Sequence, residues 1–232
     1  MMYIFQFVFG SCLGSFAYCF AFDWVHQQIC LTRRSTCDHC STTLKAFDLI
    51  PIVSQVLSRF RCRYCQKPTS SFYIIVEVMS GLLFVWTSFV FKEYHIYFIM
   101  AFALVSLLMI YCDIHAMMVP DMLQLVLLCL VLYIVYVSEL DFGNQLLLAL
   151  ATFSSFFVFN TLRPASIGGA DIKVFTILSL CIPVSLFPMF LFITSATALF
   201  YFLFGYLFRF KSTGALPFFP FIFFGLYCIL SI

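Results

Sequence analysis

The sequence predicts an all-α polytopic integral membrane protein with about eight transmembrane helices and one small cytoplasmic zinc-binding loop domain. Of its 232 residues, 64% are hydrophobic and only 9% are charged, whereas about a quarter of the residues in a soluble domain are charged. Apolar stretches near 20 residues long recur along the chain, and that length of helix crosses about 30 Å of hydrocarbon. The one long polar segment contains two closely spaced cysteine pairs.

The apolar stretches define the predicted spans. They cover residues 3–22, 73–91, 96–112, 122–138, 145–162, 172–187, 189–208 and 216–231. The first stretch lacks a basic amino-terminal region and a cleavage site, so we expect a retained helix rather than a signal peptide. Pro183 and Pro188 interrupt the chain between spans six and seven, so seven spans remain an alternative. Pro217 and Pro220 suit a helix start better than a helix interior.

The distribution of positive charge predicts the orientation. If the first loop is cytoplasmic, all but one of the 12 Lys and Arg residues lie on that side, as the positive-inside rule requires. Lys92 alone lies opposite. The residues on the cytoplasmic side are Arg33, Arg34, Lys45, Arg59, Arg61, Arg63, Lys67, Arg163, Lys173, Arg209 and Lys211. We therefore expect the amino terminus and, with eight spans, the carboxyl terminus to face the outside of the plasma membrane. The basic residues form no long run, so no nucleic-acid partner is expected.

The segment at 23–72 separates the first helix at 1–22 from a transmembrane core at 73–232. About 50 residues are too few for an independent hydrophobic core without a staple such as a metal. Cys37 with Cys40 and Cys62 with Cys65 form two C-x2-C pairs, the spacing typical of a closed tetrahedral zinc site. Four free thiols or a redox pair are the alternatives, although disulfides are disfavoured in cytoplasm.

Two aspartates are the candidate catalytic residues. Asp171 follows Gly168 and Gly169, and Asp113 ends the third span. The topology places both at cytoplasmic helix ends, where two close carboxylates would share a proton. Such a pair activates water and polarises a carbonyl, which is the chemistry of aspartic proteases. Helix capping and the ion or proton sites of a transporter are alternatives, and residue types alone leave Asp121 open as the partner of Asp171.

Glu77 lies about one turn inside the second span. A side chain turned toward the bundle interior or the interface is the slightly favoured interpretation. A contact with substrate or with the loop domain is the alternative.

The order and spacing of these motifs resemble those of type IV prepilin peptidases, of the kind that serves pilin-like competence proteins in Gram-positive bacteria. The cysteine pairs, Asp113 and Pro120-Asp121 match the family pattern. Further matching segments are Gly14-Ser15-Phe16, Asp48-Leu49-Ile50-Pro51, Arg61 to Cys65, Glu77, Gly168 to Lys173, and Pro217-Phe218-Phe219-Pro220-Phe221.

The resemblance implies that Asp113, rather than Asp121, is the catalytic partner of Asp171. It also implies a membrane-embedded aspartic endopeptidase of the GxGD type. Its substrates would be prepilins or competence pseudopilins, whose short basic leader is removed after glycine at the cytoplasmic face. Prepilins and membrane lipid are the partners expected on this basis.

Three departures from the family pattern bear on these expectations. Ala170 replaces the second glycine of G-x-G-D, and Tyr18 and Asp23 stand where many members carry asparagine and arginine. Many members also methylate the new amino terminus with S-adenosylmethionine, an activity linked to the first helix and the loop. Methylation is therefore a secondary expectation. An ion transporter that uses both aspartates and a scaffold that docks through its zinc loop are the competing hypotheses.

Overall fold

A computed structural model describes residues 2–26, 35–37, 39–138, 140–164, 167–208 and 216–232. Within these ranges the chain is helical and contains no strand beyond two isolated bridges, Thr36 with Thr43 and Arg61 with Pro68. This confirms the all-α prediction. Arg33, Arg34, Arg209 and Lys211, which support the predicted orientation, lie outside the described residues.

The helices follow the predicted spans in order. They are α1 Met2–Val25, α2 Val53–Leu57, α3 Phe72–Val90, α4 Ile96–Ala116, α5 Asp121–Val137, α6 Phe142–Leu162, α7 Gly169–Ser179, α8 Phe187–Leu207 and α9 Phe219–Leu230. In the described part of the chain, five of these are long and apolar enough to cross a membrane: α1, α3, α4, α6 and α8. The polytopic class is thus confirmed.

The predicted sixth span is shorter than the sequence suggested. Expected over 172–187, the helix α7 has 11 residues and ends at Ser179, which gives a length of about 16 Å against the roughly 30 Å of a bilayer core. Turns replace helix from Leu180 to Leu186. Pro183 lacks the N–H that would continue the helix, so a break here follows from the sequence.

A buried amide satisfies the backbone where α7 ends. The Gln145 side chain of α6, oriented with its nitrogen toward α7, donates to the carbonyls of Ser179 and Ile182 at 3.0 Å each. Gln145 is buried, so water does not compete for these carbonyls. Non-helical backbone at membrane depth is tolerated only where protein groups or a water-filled cavity satisfy it. Gln145 therefore permits the short helix.

The chain forms two compact units, Met1–Tyr111 and Cys112–Ile232, with the boundary inside α4. In the first unit α1 packs along α3, and in the second α7 packs against α5, α6 and α9. The functional segments predicted at 1–22, 23–72 and 73–232 do not follow this boundary and stay a prediction.

Glycines allow α1 and α3 to approach closely. A Cβ on Gly10 would lie 2.7 Å from the Cβ of Phe84, and a Cβ on Gly14 would overlap the Ser80 side chain. Gly81 of α3 is equally close to Ser11 of α1, 2.6 Å from its Oγ. Small residues spaced four apart are typical of helix contacts in membranes, because packing rather than hydrophobic burial drives the association there. The Gly14-Ser15-Phe16 motif thus has a packing role.

We predict that Gly14→Leu lowers the thermal unfolding temperature of the detergent-purified protein, because the added side chain must separate α1 from α3. Overpacking of this kind destabilises by about 1–3 kcal/mol. The matched control is Gly205→Leu in α8, since no atom lies within 4 Å of a Cβ built there. Equal unfolding temperatures for the two variants would contradict the close packing.

Candidate active site and metal centre

Asp113 and Asp171 are brought together within the second unit. Asp113 lies in the last turn of α4 and Asp171 in the first turn of α7. Asp113 is only 6% exposed, and its carboxylate is close enough to that of Asp171 for the two to interact electrostatically. Two acids so placed repel one another when both are ionised, because the protein interior screens charge poorly.

The Asp113 carboxylate accepts a hydrogen bond from another helix. The backbone N–H of Phe219 donates to its Oδ2 at 2.9 Å. Phe219 is the first residue of α9 and Pro220 is the second. The P-F-x-P-F segment is thus in direct contact with the acidic pair.

The position of the Asp171 carboxylate explains why residue 168 is a glycine. The Asp171 carboxylate turns back toward the backbone N–H of Gly168 at the start of α7. A Cβ on Gly168 would lie 2.8 Å from Asp171 Oδ2, whereas one on Gly169 would meet nothing within 4 Å. Ala170, which replaces the second glycine of the family pattern, is half-buried and regular helix accommodates it. The first glycine of the motif therefore leaves room for the carboxylate itself.

Asp121 differs from Asp113 in environment. Its side chain is 81% exposed and forms a 2.7 Å ion pair with Nζ of Lys173. The pair joins the starts of α5 and α7. A solvated carboxylate whose charge is balanced by lysine is poorly suited to share a proton with Asp171.

The four cysteines of the loop come together as predicted. Their sulfurs all lie within 4.8 Å of one another, and Sγ of Cys37 is 4.0 Å from Sγ of Cys65. Zinc–sulfur bonds of about 2.3 Å in a tetrahedron place sulfurs roughly 3.8 Å apart, so the cluster is of the right size to bind a metal ion such as zinc.

The two cysteine pairs share one backbone conformation. Cys37 N–H donates to Thr42 and Cys62 N–H to Lys67, at 3.0 and 2.9 Å, and each turn contains a positive-φ residue, Ser41 or Gln66. Such turns direct both thiols of a pair, and the adjacent backbone N–H groups, toward one point.

Hydrogen bonds in these turns favour the thiolate form that metals require at two of the four cysteines. Those from the hydroxyl and backbone N–H of Thr42 lower the pKa of the Cys40 thiol to about 6. The backbone N–H groups of Cys65 and Tyr64 lower the pKa of Cys62. Although the Lys67 backbone N–H acts to lower the pKa of the Cys65 thiol, desolvation and hydrogen bonds with the other three thiols outweigh it and raise that pKa to about 11. Deprotonated thiols are the metal-binding form at neutral pH.

Glu77 anchors the loop to the helices of the first unit. Its buried carboxylate accepts from the Ile52 backbone N–H at 2.7 Å and from Gln55 Nε2 and Ser15 Oγ at 3.2 Å each. Ile52 has a φ of 63°, an unfavourable conformation for a β-branched residue. The structure shows the loop-domain contact, which is the less favoured interpretation of Glu77 from sequence. The side chain is also buried and hydrogen-bonded to Ser15 of α1, as the favoured interpretation expects.

Comparisons with known proteins agree with this arrangement. The model of the bacterial peptidase A24 N-terminal domain matches residues 8–91, and that of the type IV leader peptidase family matches residues 100–203. A prepilin leader peptidase/N-methyltransferase of Bacillus subtilis (strain 168) is 30% identical over 183 residues, which are 78% of this chain and 73% of the relative. The chain belongs to the type IV leader peptidase family.

Other family members are similar over different lengths. A Vibrio cholerae prepilin leader peptidase/N-methyltransferase is 25% identical over 75% of this chain and 72% of its own. A Myxococcus xanthus protein of the same name is 38% identical over 35% of this chain and 24% of its own. No solved structure matches. Family membership confirms the resemblance and the peptidase activity, and the ion-transport alternative is not favoured.

We predict that Glu77→Ala accelerates limited proteolysis within residues 46–57 severalfold. The substitution leaves the Ile52 N–H and the Gln55 amide without their acceptor, a loss of about 1–3 kcal/mol. Mass spectrometry of the fragments identifies the cut. Glu93→Ala is the control, because the Glu93 side chain is 83% exposed. Equal cleavage rates would contradict the anchoring role.

Proposed function

We propose that Asp113 and Asp171 are the catalytic pair of a membrane-embedded aspartic endopeptidase that cuts the leader from type IV prepilin-like proteins. The observation that carries the proposal is the close approach of two carboxylates, Asp113 at the end of α4 and Asp171 at the start of α7, the first almost fully buried against the start of α9. The names of the relatives, prepilin leader peptidases, supply the substrate class.

The chemistry follows from one proton shared between two acids. The ionised carboxylate accepts a proton from water, and that water attacks the peptide carbonyl carbon. The protonated acid donates its hydrogen to the carbonyl oxygen, which gives a neutral tetrahedral intermediate. The carboxyl group that received the water proton then protonates the leaving amine. The C–N bond breaks as the other carboxylate takes a proton back from a hydroxyl of the intermediate, which forms the carboxylic acid product and restores the shared proton.

The positive-inside asymmetry of Lys and Arg supports a site at the cytoplasmic face. A pilin-like substrate whose scissile bond lies where a transmembrane helix meets the cytoplasm would then reach the pair without leaving the membrane. Prepilin-like substrates and membrane lipid are the partners that this function requires.

The cysteine cluster is proposed to hold one structural zinc ion through Cys37, Cys40, Cys62 and Cys65. Four thiolates fill a tetrahedral ion, so no position remains for substrate or water. The ion would supply the staple that a loop of this size needs, and it takes no direct part in cleavage.

Methylation of the new amino terminus is a second proposed activity. Its support is the compound name of the relatives, leader peptidase/N-methyltransferase. The methyl donor for such an activity is S-adenosylmethionine. Mass spectrometry of the cleaved product tests it, because one added methyl group raises the mass by about 14 Da.

We predict that Asp113→Asn and Asp171→Asn each reduce leader removal by at least about 10³-fold, since losing either acid removes half of the proton transfer. The measurement is cleavage of a purified pilin-like substrate in detergent, followed by gel mobility. Asp121→Asn is the matched control and is expected to retain activity. Normal cleavage by Asp113→Asn would exclude it from the pair.

Gly168→Ala is predicted to lower the cleavage rate more than tenfold with little change in thermal stability. The added Cβ meets the far end of a flexible side chain, Asp171 Oδ2 at 2.8 Å, so the carboxylate moves while the backbone need not. Gly169→Ala is the control, because no atom stands within 4 Å there. Unchanged cleavage by Gly168→Ala would contradict the assigned position of Asp171.

Metal analysis of the purified protein is predicted to find about one zinc per chain. Cys62→Ser removes a ligand and is expected to lower the zinc content well below one equivalent. Cys129→Ser serves as the control, since Cys129 is an exposed residue of α5. A wild-type protein with zinc far below one equivalent would refute the zinc assignment.

A further inference from the structure

We propose that the first turn of α9 is a positioning element for the catalytic pair, in which the backbone N–H of Phe219 orients the Asp113 carboxylate and stabilises its ionised form. This inference rests on the proposed function, because it takes Asp113 as one of the two acids. The segment from Pro217 to Phe221 lies beyond residues 8–91 and 100–203, which the family models match.

The contact is well formed and shielded from water. Phe219 N–H donates to Asp113 Oδ2 at 2.9 Å, a distance typical of a hydrogen bond to a charged acceptor. Phe219 is 1% exposed and Asp113 is 6% exposed. The N–H of the preceding Phe218 also acts on this carboxylate. Because water is excluded, the orientation of the acid depends on these protein donors.

Helix dipoles make the contact necessary for Asp113 in particular. Asp113 sits in the last turn of α4, which ends at Ala116, and the carbonyl end of a helix disfavours a negative charge. The N-terminal end of α9 has the opposite partial charge and offsets this effect. Asp171 differs, because it lies in the first turn of its own helix α7, where the dipole already favours a carboxylate.

Pro220 and the hydrogen bonds of the first turn explain why Phe219 is the donor. The first N–H groups of a helix have no intrahelical acceptor, and Pro220 has no N–H to offer. The N–H groups of Phe221 and Ile222 both donate to the Phe218 carbonyl, at 3.1 and 3.2 Å. Phe219 therefore presents a free N–H at the N-terminal end of α9, and the Asp113 carboxylate accepts a hydrogen bond from it. The pattern P-F-F-P-F thus directs donors at one acid.

Among the described residues of its unit, few other charges influence Asp113. The titratable groups that face it are the carboxyl group of Asp171 in α7 and the thiol of the adjacent Cys112. The sequence of α9 carries no charged side chain, and Asp121 of α5 is paired with Lys173. Removing the Phe219 N–H makes ionisation of Asp113 less favourable, so activity should fail first at low pH.

The test replaces a single N–H by oxygen. Phe219→phenyllactate deletes the donor and keeps the side chain, and Phe223→phenyllactate is the matched control, since both residues are 1% exposed in the same helix. The Phe219 ester is expected to lower kcat about tenfold with KM unchanged, and to move the acidic limb of the pH–rate profile to higher pH by about one unit. The Phe223 ester loses an ordinary helix hydrogen bond, and we expect only its thermal stability to fall.

Hydrogen–deuterium exchange gives a second test that needs no ester. Exchange in a peptide spanning 217–221 is expected to be faster in Asp113→Ala than in wild type, and unchanged in Asp171→Ala. Equal exchange in all three proteins, or esters at Phe219 and Phe223 with the same kcat and pH profile, would overturn the proposal. Asp113→Asn distinguishes a failure of the proposed function from a failure of the positioning role. If this variant cleaves normally, the proposed function fails. If it is inactive while the Phe219 ester behaves like the Phe223 ester, only the positioning role fails.

Discussion

The mutual repulsion of two neighbouring carboxylates, Asp113 buried and Asp171 half-buried, is the constraint on which the second unit depends. Acids held close together in a poorly polarisable interior cannot both ionise unless donors reach them. Each acid here has backbone N–H groups at a helix start: Phe219 of α9 acts on Asp113, and Gly168 acts on Asp171. Both donors stand at helix starts, where the first N–H groups have no intrahelical acceptor.

The irregular backbone that this arrangement requires must itself be satisfied away from water. A helix of 11 residues ends in the interior of the second unit. The buried amide of Gln145 donates hydrogen bonds to the backbone carbonyls of Ser179 and Ile182 at this helix end. In the first unit Glu77 does the equivalent for the loop by binding the backbone of Ile52. Single buried polar side chains therefore support both non-helical segments, as membrane-embedded structures require.

The sequence predicted the features that depend on local pattern. Hydrophobic length located the helices, and the C-x2-C spacing located four sulfurs that lie within 4.8 Å of one another. Residue types could not distinguish Asp113 from Asp121, because the difference lies in tertiary environment: one is buried against α9 and the other pairs with Lys173 in the open. The role of Gln145 was hidden, since its partners are backbone carbonyls that no side-chain motif reveals. For Glu77 the sequence offered the loop contact only as an alternative, because its closest partner is the backbone N–H of Ile52.

Mass spectrometry of a pilin-like protein co-expressed with this chain tests the central claim most directly. The account predicts that the pilin-like protein has lost its leader when the wild-type protein is present. It predicts an intact leader when Asp171→Asn is present in the membrane in the same amount. The same spectrum reports any added methyl group. An intact leader with the wild-type protein, or leader removal by Asp171→Asn at the normal rate, would contradict the account.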